Sequence, residues 1–263
     1  MNSRCWRGKG VTVMEKAWQT HKGRVREYNE DSVGLFQSDE GVTVAVVADG
    51  MGGHQAGDVA SQSAVRIIRQ RLMSLSPRMD TNELRRRSEE AVLAANREVY
   101  QMAASHKGYK GMGTTVITAV LSPEEVVLAH IGDSRAYLLH NEGLYQLTED
   151  HSLVNVLKKH GEITEEEAKV HPQRNVLVRA LGTNEEVEAD MIVTPWYEGD
   201  TLLLCSDGLY NMVGVDEIGT ILTSGLSVQE QSDLLVEKAL EAGGVDNISV
   251  ILIKHTGLKT SNA

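Results

Sequence analysis

Cysteine is scarce: Cys5 and Cys205 are the only two among 263 residues. Two thiols cannot build a disulfide framework, and such usage suits a reducing compartment. No apolar run approaches the ~18–20 residues of a membrane span. The opening MNSRCWRGKGVTV has basic residues with no apolar block behind them, which makes a poor signal peptide. Basic charge is also short, with 26 Lys and Arg against 37 Asp and Glu and a formal net charge of -11. That balance argues against nucleic acid or an anionic membrane as partner and leaves carboxylates available for cations. Only four prolines interrupt the chain, and no repeat, low-complexity linker or coiled-coil heptad is visible. The expectation is a soluble, cytoplasmic, monomeric chain with one compact domain.

Short β-like and longer helical segments alternate. Strands are predicted at 42–48, 114–121, 126–130, 136–140, 201–205 and 248–254, all rich in Val, Ile, Leu and Thr. Helices are predicted over 58–75 and 83–105 from apolar residues at helical spacing. Two further helices announce themselves through capping boxes, Thr164-x-x-Glu167 and Ser227-x-x-Glu230. Two adjacent helices separate the early strands from the middle ones, and several strands then follow without long helices. Strict βαβ repetition is absent, so the pattern predicts an α+β layered fold with mainly antiparallel sheets.

The stretch VVADGMGGHQAG, residues 46–57, drives an apolar strand into Asp49 and then loosens the backbone with three glycines in four positions. It is not a P-loop, because His54 and Gln55 follow Gly53 where Lys and Ser/Thr are needed. The dinucleotide pattern lacks its third glycine at Gln55, and no EF-hand loop occurs. Four other segments also bring acids to a strand end: Glu30-Asp31 before 33–36, Asp133 after 126–131, Asp207 after 201–205 and Asp246 before 248–254. One such acid is an ordinary turn former. Five that met at one edge would repel strongly and call for hard divalent cations, with the Gly50 carbonyl as a further oxygen.

Quoted in order, the motifs are Arg26-Glu27-Tyr28-Asn29-Glu30-Asp31, Asp49-Gly50-Met51-Gly52-Gly53-His54, Gly113-Thr114-Thr115, Gly132-Asp133-Ser134-Arg135, Ser206-Asp207-Gly208-Leu209 and Asp246-Asn247. This ordered set, spread over nearly the whole chain, resembles the metal-dependent (type 2C) serine/threonine protein phosphatases, and their bacterial branch most. The resemblance implies a four-layer α-β-β-α sandwich, two antiparallel sheets flanked by helix pairs, spanning residues 14–257. Residues 1–13 would then be an N-terminal extension, a candidate for disorder, and 258–263 a C-terminal tail.

By the same resemblance, two or three Mn²⁺ or Mg²⁺ ions sit at one edge. Asp49 would bridge two of them and the Gly50 carbonyl would complete one. Asp207 and Asp246 would bind the second, Glu30 and Asp31 would act directly or through water, and Asp133 with Asp207 would hold a third. Arg26 matches the phosphate-binding arginine, and its planar fork suits phosphate oxygens. Asn247 would support the ligands from behind. A hydroxide bridging the ions would attack phosphorus in line, with no phosphoenzyme. The substrates would be phosphorylated proteins made by a Ser/Thr kinase, and the segment 148–183 would form a flap that governs their choice.

One departure stands out. The wider family has a histidine, assigned as general acid, directly after the Asp-Gly pair. Here that position is Met51, which leaves His54 as the nearby candidate. Two rival readings stay open: a catalytically silent metal- or phosphate-binding module on the same fold, and a hydrolase of small phosphate esters. A silent member would be expected to lose a metal carboxylate, yet Asp31, Asp49, Asp207 and Asp246 are all present.

Overall fold

The structure is a computed structural model and describes residues 11–52 and 56–259. Two sheets, antiparallel throughout, lie face to face. The first contains β2 (Asp31–Gln37), β3 (Thr43–Met51), β5 (Val116–Leu121), β6 (Glu125–Ile131) and β9 (Asp190–Pro195), in the order β2-β3-β5-β6-β9. The two-residue β4 (Gly113–Thr114) pairs with the end of β3. The second sheet runs β1-β11-β10-β7-β8, from β1 (Val11–His21), β11 (Ile248–Lys259), β10 (Thr201–Cys205), β7 (Arg135–His140) and β8 (Gly143–Gln146).

Strand periodicity decides what each face meets. On β3, Val44 and Val46 turn outward to α1 (Ala56–Leu72) and α2 (Thr81–Ser105), where they join Ile68, Leu72 and Val92. Ala45 and Val47 turn inward and meet Leu202, Leu204, Ile251 and Ile253 of the opposite sheet. The outward residues of that sheet, Leu203, Cys205, Val250 and Leu252, pack on α6 (Val215–Leu222) and α7 (Val228–Glu241) through Ile218, Leu222, Leu235 and Ala239. The result is the four-layer α-β-β-α sandwich, with three apolar cores between four layers.

Both capping boxes form. Thr164 caps α4 (Glu165–Val170) with Glu167 reaching back, and Ser227 caps α7 with Glu230. Each such cap contributes about 1 kcal/mol and fixes where its helix starts. Three remaining helices, α3 (Leu153–Lys159), the single-turn α5 (Asp207–Tyr210) and α6, carry no strong sequence signal.

The predicted strand 42–48 does not stop before Asp49. The ladder runs on through Asp31↔Asp49 and Gly50↔Thr114, because β2 and β4 still offer backbone partners there. The predicted strand 114–121 is broken at Thr115, whose amide turns to the Asp49 carbonyl (2.8 Å). Pairing of β1 with β11 carries the described sheet to Val11 at one end and Lys259 at the other, a few residues past the expected limits at 14 and 257.

Candidate metal centre

The inward parity that buries Ala45 and Val47 also aims Asp49 between the sheets, at the rim where the apolar layer ends. Its direct cross-strand partner is Asp31, a residue of the same face, so two carboxylates oppose each other on adjacent strands. Like charges in that position destabilise a sheet. Across the gap, inward parity on β10 leads from Leu202 and Leu204 to Ser206, whose hydroxyl donates to Asp31 Oδ2 (2.7 Å). Asp207 follows and opens α5, while Asp246 comes just before β11. Asp133 sits in the turn between β6 and β7.

Hydrogen bonds tie these five segments together: Ser206 to Asp31, Asn247 to the Glu30 amide, and Ser134 through Thr115 to the Asp49 amide. Burial, followed by repulsion from Asp31, Asp207, Asp133 and Asp246, holds the Asp49 carboxyl well above the usual carboxylate range. Burial and the neighbouring aspartates, Asp133 and Asp246 foremost, do the same to Asp207. Asp31 is pushed up to about 6, mainly by burial, against the hydrogen bond from Ser206. Asp133 is pushed up to about 7, by burial and then by Asp150. Burial also raises Glu30, with Arg26 working the other way.

Arg26 is the cation facing this group. Its Nη2 lies 2.7 Å from Asp246 Oδ2, and its guanidinium is half exposed. Burial works against its charge, but the bond to Asp246 and the fields of Asp207 and Asp49 outweigh it and raise its pKa. The loop that carries Arg26 is braced by Asn247. That side chain donates to the carbonyls of Lys22 and Tyr28 (2.9 Å each) and accepts from the Glu30 amide (2.8 Å).

Gly50 explains the permissive backbone after Asp49. A Cβ there would stand 2.1 Å from the Gly57 carbonyl oxygen and 2.5 Å from that of Glu30. Three segments can therefore meet at this rim only around a glycine. The Gly50 amide donates to the Glu30 carbonyl (3.1 Å).

Whether divalent ions fit can be judged from the oxygen atoms. Glu30 Oε1 and Asp31 Oδ1 are buried without a hydrogen-bond partner among the described residues. A buried carboxylate oxygen without a donor is costly, and a cation is the natural partner for it. Among the described residues, no three His, Cys, Asp or Glu side chains draw together into a ready-made group able to hold an ion. Mg²⁺-like ions do not require such a group, since they keep several waters and take one or two carboxylates each, and Asp31 opposite Asp49 offers two on neighbouring strands. The residues fit the ions.

The expected site residues Glu30, Asp31, Asp49, Gly50, Asp133, Asp207 and Asp246 thus gather at one rim beside Arg26 and Asn247. His54 lies outside the described residues. Cys205 is buried in β10, where burial lifts its thiol to about 12, in keeping with a core residue. Arg179 donates to Asp190 (2.6 Å) and to the Glu188 carbonyl (3.2 Å), and so braces the loop that leads into β9. Ser206 stands in a motif of the sequence without a role of its own there. A serine before an Asp-Gly pair looks like a turn residue until the fold places Asp31 against it.

A cleft of about 350 Å³ between β1 and α7, with Gln19, Arg24, Asp233 and Glu237 among its walls, contains none of these carboxylates. Among the described residues no helix is long and apolar enough to cross a membrane.

Comparison with known proteins agrees with this geometry. The profile of the family described as Protein phosphatase 2C matches residues 19–241. The serine/threonine phosphatase stp of Listeria monocytogenes is 44% identical over 242 residues, covering 92% of this chain and 96% of its own. The serine/threonine phosphatase of S. agalactiae superposes with a TM-score of 0.88 at 36% identity, covering 92% of this chain and all of its own. The catalytic domain of the serine/threonine protein phosphatase PstP, solved in complex with two manganese ions, superposes with a TM-score of 0.82 at 34% identity, over 94% of this chain and all of its own. With the fold, the ordered motifs and these likenesses in agreement, the chain belongs to the protein phosphatase 2C family.

Proposed function

We propose that this chain is a metal-dependent protein phosphatase that hydrolyses phosphoserine and phosphothreonine in proteins. The observation that carries the reading is the rim itself. Asp31, Asp49, Asp133 and Asp207 converge there with raised pKa values, and two buried carboxylate oxygens lack donors beside a half-exposed arginine. Asp49, with the Gly50 carbonyl, Asp207 and Asp246 would hold two Mn²⁺ or Mg²⁺ ions, with Glu30 and Asp31 acting directly or through water. Asp133 together with Asp207 would hold a third. When bound, such ions supply a water nucleophile at neutral pH and neutralise phosphoryl charge.

The chain's own residues do the rest. Arg26 presents its guanidinium to phosphate oxygens, with one nitrogen anchored on Asp246 and further N–H groups left to donate. Asn247 holds the Arg26 loop and the Glu30 amide in one frame, so arginine and acids keep a common register. Ser206 fixes the orientation of Asp31 by donating to one of its oxygens, which leaves the other free for a cation. His54 is the candidate proton donor for the leaving hydroxyl, since the Met51 thioether has no proton to give. The substrates are phosphoproteins made by a Ser/Thr kinase, the segment 148–183 influences which of them is accepted, and the enzyme works as a cytoplasmic monomer.

The test is phosphate release from a phosphothreonine peptide after chelation, with Mn²⁺ or Mg²⁺ added back and Asp207→Ala alongside. Metal-dependent release that disappears in the variant is expected. Folded protein that binds Mn²⁺ yet releases no phosphate would point instead to a silent regulatory module on the same fold.

A further inference from the structure

The Gly132–Asp133 turn is gripped by the segment 148–183 through a histidine that no catalytic assignment uses. The Gly132 amide donates to His151 Nδ1 (3.0 Å), and the His151 amide donates back to the Gly132 carbonyl (2.8 Å). Because Nδ1 accepts, the ring proton of neutral His151 must sit on Nε2, which points to Asp190 Oδ2 at 3.2 Å. Arg179 Nη1 donates to the other oxygen of Asp190 (2.6 Å) and lies 3.2 Å from Nε2. Fully buried His130 packs its ring against that of His151, with centroids 4.8 Å apart, so the imidazole has little room to turn.

Neighbouring residues hold the same turn from its other sides. Gly132 has φ +110, and a Cβ there would meet Thr115 Cβ at 2.6 Å. The Tyr210 hydroxyl donates to the Asp133 carbonyl (2.9 Å). Its ring lies under the Arg135 guanidinium (3.6 Å), which is bound by Asp150, the residue just before His151. Ser134 Oγ shares a hydrogen bond with Thr115 Oγ1 (2.7 Å), and that oxygen accepts from the Asp49 amide (2.9 Å).

We propose that His151 is a positioning residue for the third metal subsite, that of Asp133 and Asp207: by accepting the Gly132 amide it fixes the backbone that aims Asp133, and so ties that subsite to the 148–183 segment. The inference rests on the metal reading proposed above for Asp133 and Asp207. It distinguishes the two ring nitrogens, because the Nδ1 contact sets the turn whereas the Nε2 contact braces the segment. Support from behind a ligand of this kind is worth about 10–100-fold in metal affinity.

The test is calorimetric titration of the chelated full chain with Mn²⁺, with thermal melting as a check on folding and Asp133→Asn marking the step that belongs to Asp133. His151→Ala should weaken that step about ten-fold or more and leave the tighter binding within about two-fold. His151→Asn places an amide oxygen near the position of Nδ1 and should recover most of the loss. His151→Gln keeps a donor near Nε2 alone and should behave like the alanine variant. Unchanged Mn²⁺ binding in His151→Ala, or equal rescue by Gln and Asn, would overturn the inference. Should the alanine variant not fold, the contrast between Asn and Gln decides by itself. Wild-type protein that binds no Mn²⁺ would instead defeat the metal reading, a different and recognisable failure.

Discussion

Two sets of aspartates share this sandwich, and they live under opposite electrostatics. Asp150 and Asp190 each have a cation. Arg135 binds Asp150 through Nε (2.9 Å) and Nη2 (2.7 Å). Arg179 and His151 serve Asp190, and although burial pushes its pKa up, those two partners carry it below the usual value. Asp31, Asp49, Asp133 and Asp207 have one another instead, and all four are pushed up. The first set is matched within the fold and serves stability. The second is left mismatched by the fold, and a strained group of acids at an open rim is a place for cations and chemistry.

The strongest way to break this comparison is to remove one acid from each set. Asp207→Ala should reduce metal-dependent phosphate release by roughly 10²–10³-fold or more, with little loss of thermal stability. Asp150→Ala should act mainly on stability, leaving the half-buried Arg135 without its carboxylate at a cost of about 1–3 kcal/mol. It should lower phosphate release far less than Asp207→Ala, only through the Asp133 turn that Arg135 and Tyr210 help to hold. Equal effects of the two on activity would erase the distinction. Next in size is Arg26. Arg26→Lys keeps the charge and loses the fork, so kcat/KM for a phosphopeptide should fall about ten-fold or more, while Mn²⁺ binding by calorimetry stays near wild type.

Asp49→Asn sharpens the comparison from the stability side. It removes the charge at the centre of the repelling group while keeping the shape, so the chelated variant should melt above chelated wild type even though it is inactive. The matched change Asp150→Asn should melt lower. A lower melting point for Asp49→Asn would mean that the rim carboxylates support the fold as they stand.

Much of this contrast was legible in the sequence, for a physical reason. Asp49, Asp207 and Asp246 each adjoin an apolar strand abruptly, and the glycine after Asp49 is one that packing demands. Val- and Ile-rich runs predicted the inner strands, apolar residues at helical spacing predicted α1 and α2, and capping boxes predicted α4 and α7. The strand β1 was missed because VTVMEKAWQTH mixes charge into a pattern that only pairing with β11 makes regular. Likewise β9 was missed because DMIVTP is a short segment, half-exposed for most of its length. Ser206, Thr115 and His151 gain their roles from partners 175, 66 and 19 positions away, and no local pattern encodes such meetings.

A smaller effect follows from pH. Asp31 near 6 and Asp133 near 7 both lie above the 3.8 of an ordinary aspartate. Between about pH 4 and 7 these two acids hold protons in the folded chain that they have released in the unfolded one, and their contribution to stability falls as the pH rises through that window. Burial holds His130 down to about 3 and lowers His151, and these two work the other way below about pH 6.5. The comparison therefore belongs above it: chelated protein should melt lower at pH 8 than at pH 6.5, by ~2–4 °C for each kcal/mol involved. Saturating Mn²⁺ should flatten or reverse the slope, because the metal takes the place of the protons. Melting curves at both pH values, with and without Mn²⁺, check the sign. A flat chelated profile would show that these acids titrate alike in the folded and unfolded chains.

The smallest expected effect is at Met51, the position where the wider family has a histidine. Met51 closes β3 opposite Gly113, and a Cβ on that glycine would meet Met51 Cε at 2.8 Å, so the side chain lies across the neighbouring backbone. Packing explains the residue: an unbranched thioether fills an irregular gap beside the rim. Met51→Leu conserves that volume, at a cost below about 1.5 kcal/mol. It should keep kcat/KM for a phosphothreonine peptide within about three-fold of wild type, because neither side chain can donate a proton. The pH profile of kcat is the sharper readout, since loss of a general acid would remove one of its limbs. An unchanged profile leaves proton delivery to another group, with His54→Ala as the companion variant. A vanished limb would give Met51 an indirect hold on the proton donor, and the rim would then depend on its apolar floor as well as its acids.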